Sequence, residues 1–167
     1  KVKKISIGVS GTHGKTTSSS LLGNILEISK MEPTLVIGGI VNKFNSNTIS
    51  GSGDVIVVEA DEFDKTFLQL SPTYSIINNL DLEHLDCYEN IEDLQSSFIK
   101  FANSVPFYGK VAICIDDKNT KNIISKIKRP IVTFGLSGDA FYKAKNIKYI
   151  KNQTTFDLYV DKKFQTE

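Results

Sequence analysis

The chain has 167 residues, 40% hydrophobic, 10% aromatic and 23% charged, and its 20 Lys and Arg against 19 Asp and Glu leave a formal charge of +1. That composition excludes collagen-like, mucin-like and disordered chains, and the charge balance gives no reason to expect nucleic acid as a partner. One domain is expected at this length, burying about two thirds of the unfolded surface.

Ile5–Val9 is a short apolar run of strand type that enters the Gly-rich turn Ser10-Gly11-Thr12-His13-Gly14. A helical pattern follows, with Leu21, Leu22, Ile25, Leu26 and Ile28 expected on one face. Pro33 opens a second strand, Thr34–Ile37, closed by Gly38-Gly39, and the Asn/Ser/Gly-rich segment Val41–Gly53 reads as a loop. Asp54–Glu59 is an apolar run ending in an acid, as in a strand buried on both faces. Tyr74–Ile77 is another strand, ending in Asn78-Asn79. Asn90 can cap a helix running through Phe101, with Ile91, Leu94, Phe98 and Phe101 along one stripe. Val111–Ile115 is a strand, Asn119–Ile127 a short helix and Ile131–Phe134 a further strand. Phe141–Ile150 and Thr154–Phe164 alternate apolar and polar residues around Lys151-Asn152-Gln153, a hairpin signature.

Strands alternating with helices imply an α/β fold: a P-loop-type, mainly parallel sheet with helices on both faces, plus a small antiparallel hairpin near the C-terminus. No apolar stretch approaches the roughly 18 residues that span a bilayer, so no membrane partner is expected. The chain runs straight from Lys1 into a strand-like segment, so no secretion signal is expected, and it ends without an obvious stop, as expected of an excised fragment. Cys87 and Cys114 form neither a disulfide framework nor a metal ribbon and carry no nucleophile signature, which fits a reducing, cytoplasmic setting.

The sharpest chemical signal is Gly11-Thr12-His13-Gly14-Lys15-Thr16-Thr17, between a strand and a helix. Glycines let backbone N–H groups converge on phosphate oxygens, and the helix N-terminus adds a favourable dipole. Lys15 would reach the β- and γ-phosphates of a nucleotide, and the Thr16 hydroxyl would ligate Mg²⁺. The common GxxxxGK[ST] spacing asks for glycine at position 9, where this chain has Val9. In a parallel sheet the carboxyl ends of the strands open into the ligand crevice, so Glu59 is the natural metal-holding acid. Asp61, Glu62 and Asp64 read equally as ligands or as a solvated acidic loop.

The two histidines are His13 and His84. His84 lies in Asn78-Asn79-Leu80-Asp81-Leu82-Glu83-His84-Leu85-Asp86, after a strand end, where an imidazole beside carboxylates can hold a divalent cation or simply face water. Asn79, with Asp81 or Glu83, is placed either to contact phosphates or to form turns. Asp116-Asp117 follows a strand end, where helix capping is the default. Phe107-Tyr108 reads as core or as a docking surface.

These blocks resemble the Mur ligases. The phosphate loop, with its missing early glycine, is similar to that family's ATP loop. Glu59-Ala60-Asp61-Glu62-Phe63-Asp64 with Phe67-Leu68, and Asn79 through Asp86, are similar to its next two blocks. Residues 1–167 would then be the central ATP-binding domain, separated from an N-terminal domain for the UDP-sugar and from a C-terminal domain. The resemblance implies an ATP-dependent amide ligation of peptidoglycan precursor synthesis, in which a carboxylate is activated as an acyl phosphate and then taken by an amine. Val105-Pro106-Phe107-Tyr108-Gly109 and Asp116-Asp117 resemble one member of that family in particular, and this resemblance implies UDP-N-acetylmuramate and L-alanine as substrates of the full-length enzyme. His13 is shared with a member that recycles cell-wall tripeptide. By the same resemblance, Lys15 and a Mg²⁺ on Thr16 and Glu59 would neutralise the phosphates, a second Mg²⁺ would sit on His84, and the fragment alone would not turn over.

Other classes fit less well. A GTPase-type switch would carry a lysine in its guanine-reading loop, which Asn78-Asn79-Leu80-Asp81 lacks. An ATPase motor would carry an arginine finger, and the one arginine is Arg129, beside Pro130.

Overall fold

The computed structural model describes residues 3–41, 46–82 and 87–166. The chain runs β1 (Ile5–Ser10), α1 (Lys15–Ile28), β2 (Thr34–Val41), β3 (Ser46–Ile49), β4 (Val55–Glu59), a 3₁₀ turn (Thr66–Gln69) and β5 (Tyr74–Ile77). It continues α2 (Ile91–Ser104), β6 (Lys110–Cys114), α3 (Lys118–Ile124), β7 (Ile131–Gly135), β8 (Tyr142–Ile150), β9 (Gln153–Val160) and β10 (Lys163–Thr166). All ten strands lie in one sheet, in the order β10-β9-β8-β7-β6-β5-β1-β4-β2-β3. Every pairing from β2 across to β8 is parallel, while β2–β3, β8–β9 and β9–β10 are antiparallel. The α/β reading therefore holds.

The two faces of the sheet carry different helices. Alternation sends Val9, Val57, Leu35, Ile37 and Ile76 to one face, where Leu22 and Leu26 of α1 pack on them. Ile77, Val111 and Ile113 go to the other, against Phe98 and Phe101 of α2 and Ile123 of α3. There Phe67 stacks within 5.3 Å of Phe98 and 5.1 Å of Phe101, ring centre to ring centre. Asn90 caps α2 by accepting from Asp93 N at 2.9 Å, as its sequence position implies.

Four expectations need correction. The apolar residues of α1 do not form a single face. Leu22 and Leu26 pack inward with buried Ser19 and Gly23, whereas Leu21, Ile25 and Ile28 are exposed. Gly23 sets this orientation: a Cβ there would lie 2.5 Å from Leu35 Cδ1, so the helix backs onto β2 along its small residues. The segment Val41–Gly53 is not all loop, because Ser46–Ile49 pairs with β2 as the edge strand β3. An edge strand needs only one anchoring face, which Ile49 supplies, so its polar composition hides it. The glycines Gly38-Gly39 do not close β2, which runs on to Val41. The expected terminal antiparallel hairpin is present as β8–β9, but the strand expected over Thr154–Phe164 breaks at Asp161 and Lys162, both at positive φ, and its end pairs back as β10. Phe107 and Tyr108 are exposed and lie outside the core. No helix among the described residues is long and apolar enough to cross a membrane.

At the β6 end, the Asp116 carboxylate accepts from Leu136 N at 2.6 Å and from Ser137 N at 2.9 Å, holding the β7–β8 turn. Partial burial pushes its pKa up, but the bonds from Ser137 and Leu136 outweigh this and leave it below the ordinary carboxylate value. A carboxylate with a depressed folded pKa contributes stability that is present above its unfolded value of about 3.9 and is lost as pH falls through the lower folded value. Asp116→Asn is therefore expected to melt below the parent at neutral pH, with the gap closing in acid. Thermal melts from about pH 6 down to pH 3 check this, and a pH-independent gap would contradict it.

Candidate nucleotide phosphate site

Parallel register assembles the site. Val9 pairs with Glu59 on one side of β1 and with Ile76 on the other, and Ser10 pairs with Ile77. The phosphate loop, Glu59 and Asn78 are thus delivered to the same carboxyl rim of the sheet. Consecutive strands β4 and β5 lie on opposite sides of β1, so the crevice is a topological switch point.

The loop is closely packed and hydrogen-bonded on its inner side. Gly11 has φ 136, and a Cβ there would come 3.0 Å from Asn78 Cβ. Gly14 sits at φ 76 as the N-cap of α1 and offers no side-chain cap, leaving first-turn N–H groups for an external anion. The strand-end residues brace the loop from beside. Thr12 N donates to Asn79 O at 3.2 Å, and His13 N donates to Asn79 Oδ1 at 2.8 Å. Asn78 Nδ2 donates to Ser18 Oγ at 3.1 Å. Thr12 Oγ1 accepts from Asp81 N at 2.8 Å and donates to Asp81 O at 3.0 Å. Asn79 and the Asp81 backbone are therefore loop braces.

Two pairs of opposed groups face the loop. The Thr16 hydroxyl donates to Glu59 Oε1 at 3.0 Å, with Oε2 at 3.1 Å, and Gly38 N donates to Glu59 Oε2 at 2.9 Å. The glycines of β2 make this approach feasible: a Cβ on Gly38 would lie 3.2 Å from Glu59 Oε1, and one on Gly39 3.2 Å from Thr16 Cγ2. Lys15 Nζ donates to both oxygens of Glu62, at 2.9 and 3.1 Å, and lies 3.6 Å from Asp61 Oδ1. Glu62 is fully buried and the Lys15 side chain is 12% exposed. Tyr88 Oη donates to Glu62 O at 2.6 Å. Burial, then the nearby Glu62 charge, pushes the Tyr88 phenol far up, so it remains a donor.

Thr12, Gly14, Lys15, Thr16, Thr17, Gly38, Gly39, Glu59, Asp61 and Phe63 line one open cleft of about 560 Å³. Of the residues singled out in the sequence, Thr12, Gly14 through Thr17 and Glu59 line this cleft, while Gly11 and His13 belong to the same loop without lining it. His84, with Glu83 and Asp86, lies outside the described residues. Asp64 belongs to the solvated reading: it accepts from Thr66 N at 3.0 Å, and its bonds with Thr66 hold its carboxyl below the usual range. Burial pushes the Cys114 thiol up, consistent with an unreactive cysteine.

A hydroxyl and a carboxylate oxygen side by side are the hard donors that a Mg²⁺ takes from protein when phosphate oxygens and waters complete its shell. The donor set of Thr16 and Glu59 fits that ion. Glu62, the fully buried partner of Lys15, was the residue sequence reasoning left open. Its acidic neighbours look alike in sequence, and only the turn after β4 separates the one that folds inward.

Removing one partner of a buried ion pair leaves an uncompensated charge, at a cost of about 3–5 kcal/mol. Lys15→Met is expected to lose stability on that scale in urea denaturation, and adding Glu62→Gln is expected to restore part of it. Parent-like stability of the single variant would contradict the pairing.

The Mur ligase middle domain profile matches residues 9–167. A UDP-N-acetylmuramate–L-alanine ligase from Syntrophus aciditrophicus is 46% identical over 156 residues, which cover 93% of this chain and 32% of that protein. A solved UDP-N-acetylmuramate–alanine ligase from Thermotoga maritima superposes with a TM-score of 0.79 at 27% identity, covering 95% of this chain and 35% of that one. A solved UDP-N-acetylmuramate:L-alanyl-γ-D-glutamyl-meso-diaminopimelate ligase from Neisseria superposes with a TM-score of 0.83 at 25% identity, covering 95% of this chain and 53% of that one. The chain spans about a third of the length of the curated relatives it matches.

Proposed function

This chain belongs to the Mur ligase family through its middle domain, and we propose that it is the ATP-binding domain of an enzyme that joins L-alanine to UDP-N-acetylmuramate. One observation carries the chemistry: Thr16 at the head of α1 and Glu59 at the end of β4 share hydrogen bonds of 3.0 and 3.1 Å beside an uncapped helix N-terminus. The substrate class is supported by curated relatives 46%, 43% and 49% identical to this chain, each named a UDP-N-acetylmuramate–L-alanine ligase.

The ligation must make a carboxylate oxygen a leaving group and must bring two anions together. Loop amides at Gly11 through Lys15 would grip the phosphates, and the α1 dipole would favour their charge. Lys15, held close by Glu62, would turn its ammonium to the β- and γ-phosphates. Thr16 and Glu59 would hold Mg²⁺, which when bound supplies charge neutralisation on the transferring phosphoryl group. His84 is proposed as the ligand of a second Mg²⁺ on the family resemblance. The work of the domain is positioning and electrostatic stabilisation more than proton transfer. The carboxylate would take the γ-phosphoryl group of ATP with ADP leaving, and the amine would then displace phosphate from the acyl phosphate and lose a proton to give the amide. The domain is proposed to act in the cytoplasm, with the sugar nucleotide and the amino acid held by parts of the enzyme beyond this chain.

Mg·ATP at 100 times its dissociation constant is expected to stabilise the chain by about 2.7 kcal/mol. Mg·GTP at equal concentration is expected to do less, and no alanine-dependent ADP release is expected from the chain alone. Thermal melts and a coupled ADP assay check these points. No shift with Mg·ATP would reduce the Gly-rich turn to a structural feature, and a GTP preference would favour a switch protein.

A further inference from the structure

The phosphate loop rests on a strap, residues 78–81, and that strap is itself held from its far side. Leu80, fully buried, donates its N–H to Asp117 Oδ1 at 3.3 Å, and Leu80 O accepts from Asn119 Nδ2 at 2.8 Å. The same Asp117 oxygen accepts from Thr120 N at 2.7 Å, capping α3. Thr120 Oγ1 ties this turn to the end of β6 by donating to Cys114 O at 2.5 Å. The next residue of the strap is Asp81, whose N–H and C=O both engage Thr12 Oγ1.

The contacts form a continuous line: α3 cap, Leu80, Asp81, Thr12, phosphate loop. Each link is a backbone group fixed by a side chain, and Thr12 and Leu80 are both buried. A capping aspartate needs to satisfy only its own helix. Asp117 goes further and satisfies a strap residue from a different βα connection, and Asn119 takes the carbonyl of that same residue. Two side chains from one short helix therefore clamp both polar groups of Leu80.

We propose that Asp117 and Asn119 are positioning residues for nucleotide binding, setting the phosphate loop through Leu80 and Asp81 without touching the nucleotide. The physical reason is preorganisation. A loop that presents N–H groups to phosphate loses affinity by the free energy needed to order it, and a clamp in the free protein removes that cost. The inference rests on the phosphate-site reading.

Calorimetric titration of the chain with Mg·ATP tests it. The parent must bind; if it does not, the phosphate-site reading falls, and this inference with it. Given binding by the parent, Asp117→Ala and Asn119→Ala are each expected to bind about tenfold more weakly, the scale of one lost buried hydrogen bond. Asp117→Asn keeps the accepting oxygen and is expected to bind as the parent does. Asp116→Ala, the adjacent clamp on the β7–β8 turn, is expected to lower the melting temperature while leaving affinity unchanged. Should Asp117→Ala fail to fold, Asn119→Ala still decides, because the α3 cap is intact in it. Parent-like affinity in Asn119→Ala, or an equal affinity loss in Asp116→Ala, would overturn the assignment.

Discussion

The structure depends on the parallel register that β1 keeps with two neighbours at once. Val9 stands opposite Glu59 on one side and Ile76 on the other, which brings the ends of β1, β4 and β5 to one rim. A slip of one residue would turn Val9 off the α1 face and send Ser10 into it. The burial pattern forbids that slip, because Val9, Val57 and Ile77 are all fully buried on their assigned faces. The fold and the site are thus enforced by the same constraint. What stabilises the sheet also sets where the loop, the acid and the strap meet.

Electrostatics at the rim follow from that geometry. Beside the exposed Asp61, the site holds one buried carboxylate with a cation on it and one carboxylate facing a hydroxyl. Glu62 keeps Lys15 near the loop at 2.9 Å, while Glu59 accepts from Thr16 and the Gly38 amide. These are different tasks performed by acids three residues apart. Burial separates them: a fully enclosed carboxylate needs a cation beside it, whereas a rim carboxylate can exchange a hydroxyl and an amide for a metal. The exposed stripe Leu21, Ile25 and Ile28 on α1 stands outside this arrangement.

Much of this was legible in the residues. The strand, Gly-rich turn and Gly-Lys-Thr order marks the loop because each part has a local physical purpose. Asn90 marks the start of α2 for the same reason, and the stripe Leu94, Phe98 and Phe101 marks its buried face. What could not be read depended on contacts between distant segments. Glu62 and Asp64 are equivalent in sequence, yet one is fully buried against Lys15 and the other forms a local turn with Thr66. The edge strand β3 has the composition of a loop and exists because β2 offers it free backbone groups. In α1, two apolar stripes compete, and Gly23 decides between them by how closely it lets the helix approach Leu35. The role of Asn79 was open for the same reason, since capping a turn and bracing a neighbouring loop draw on identical chemistry.

The central claim is spatial: a divalent cation and the terminal phosphates gather between Thr16 and Glu59. Paramagnetic broadening by Mn²⁺ with ATP, read from amide resonances of the labelled chain, tests it most directly. The account predicts strongest broadening at Gly14 through Thr17, at Gly38 and Gly39 and at Glu59, with β8 to β10 spared. Broadening centred on the meander, or none at the Gly38-Gly39 pair, would contradict it.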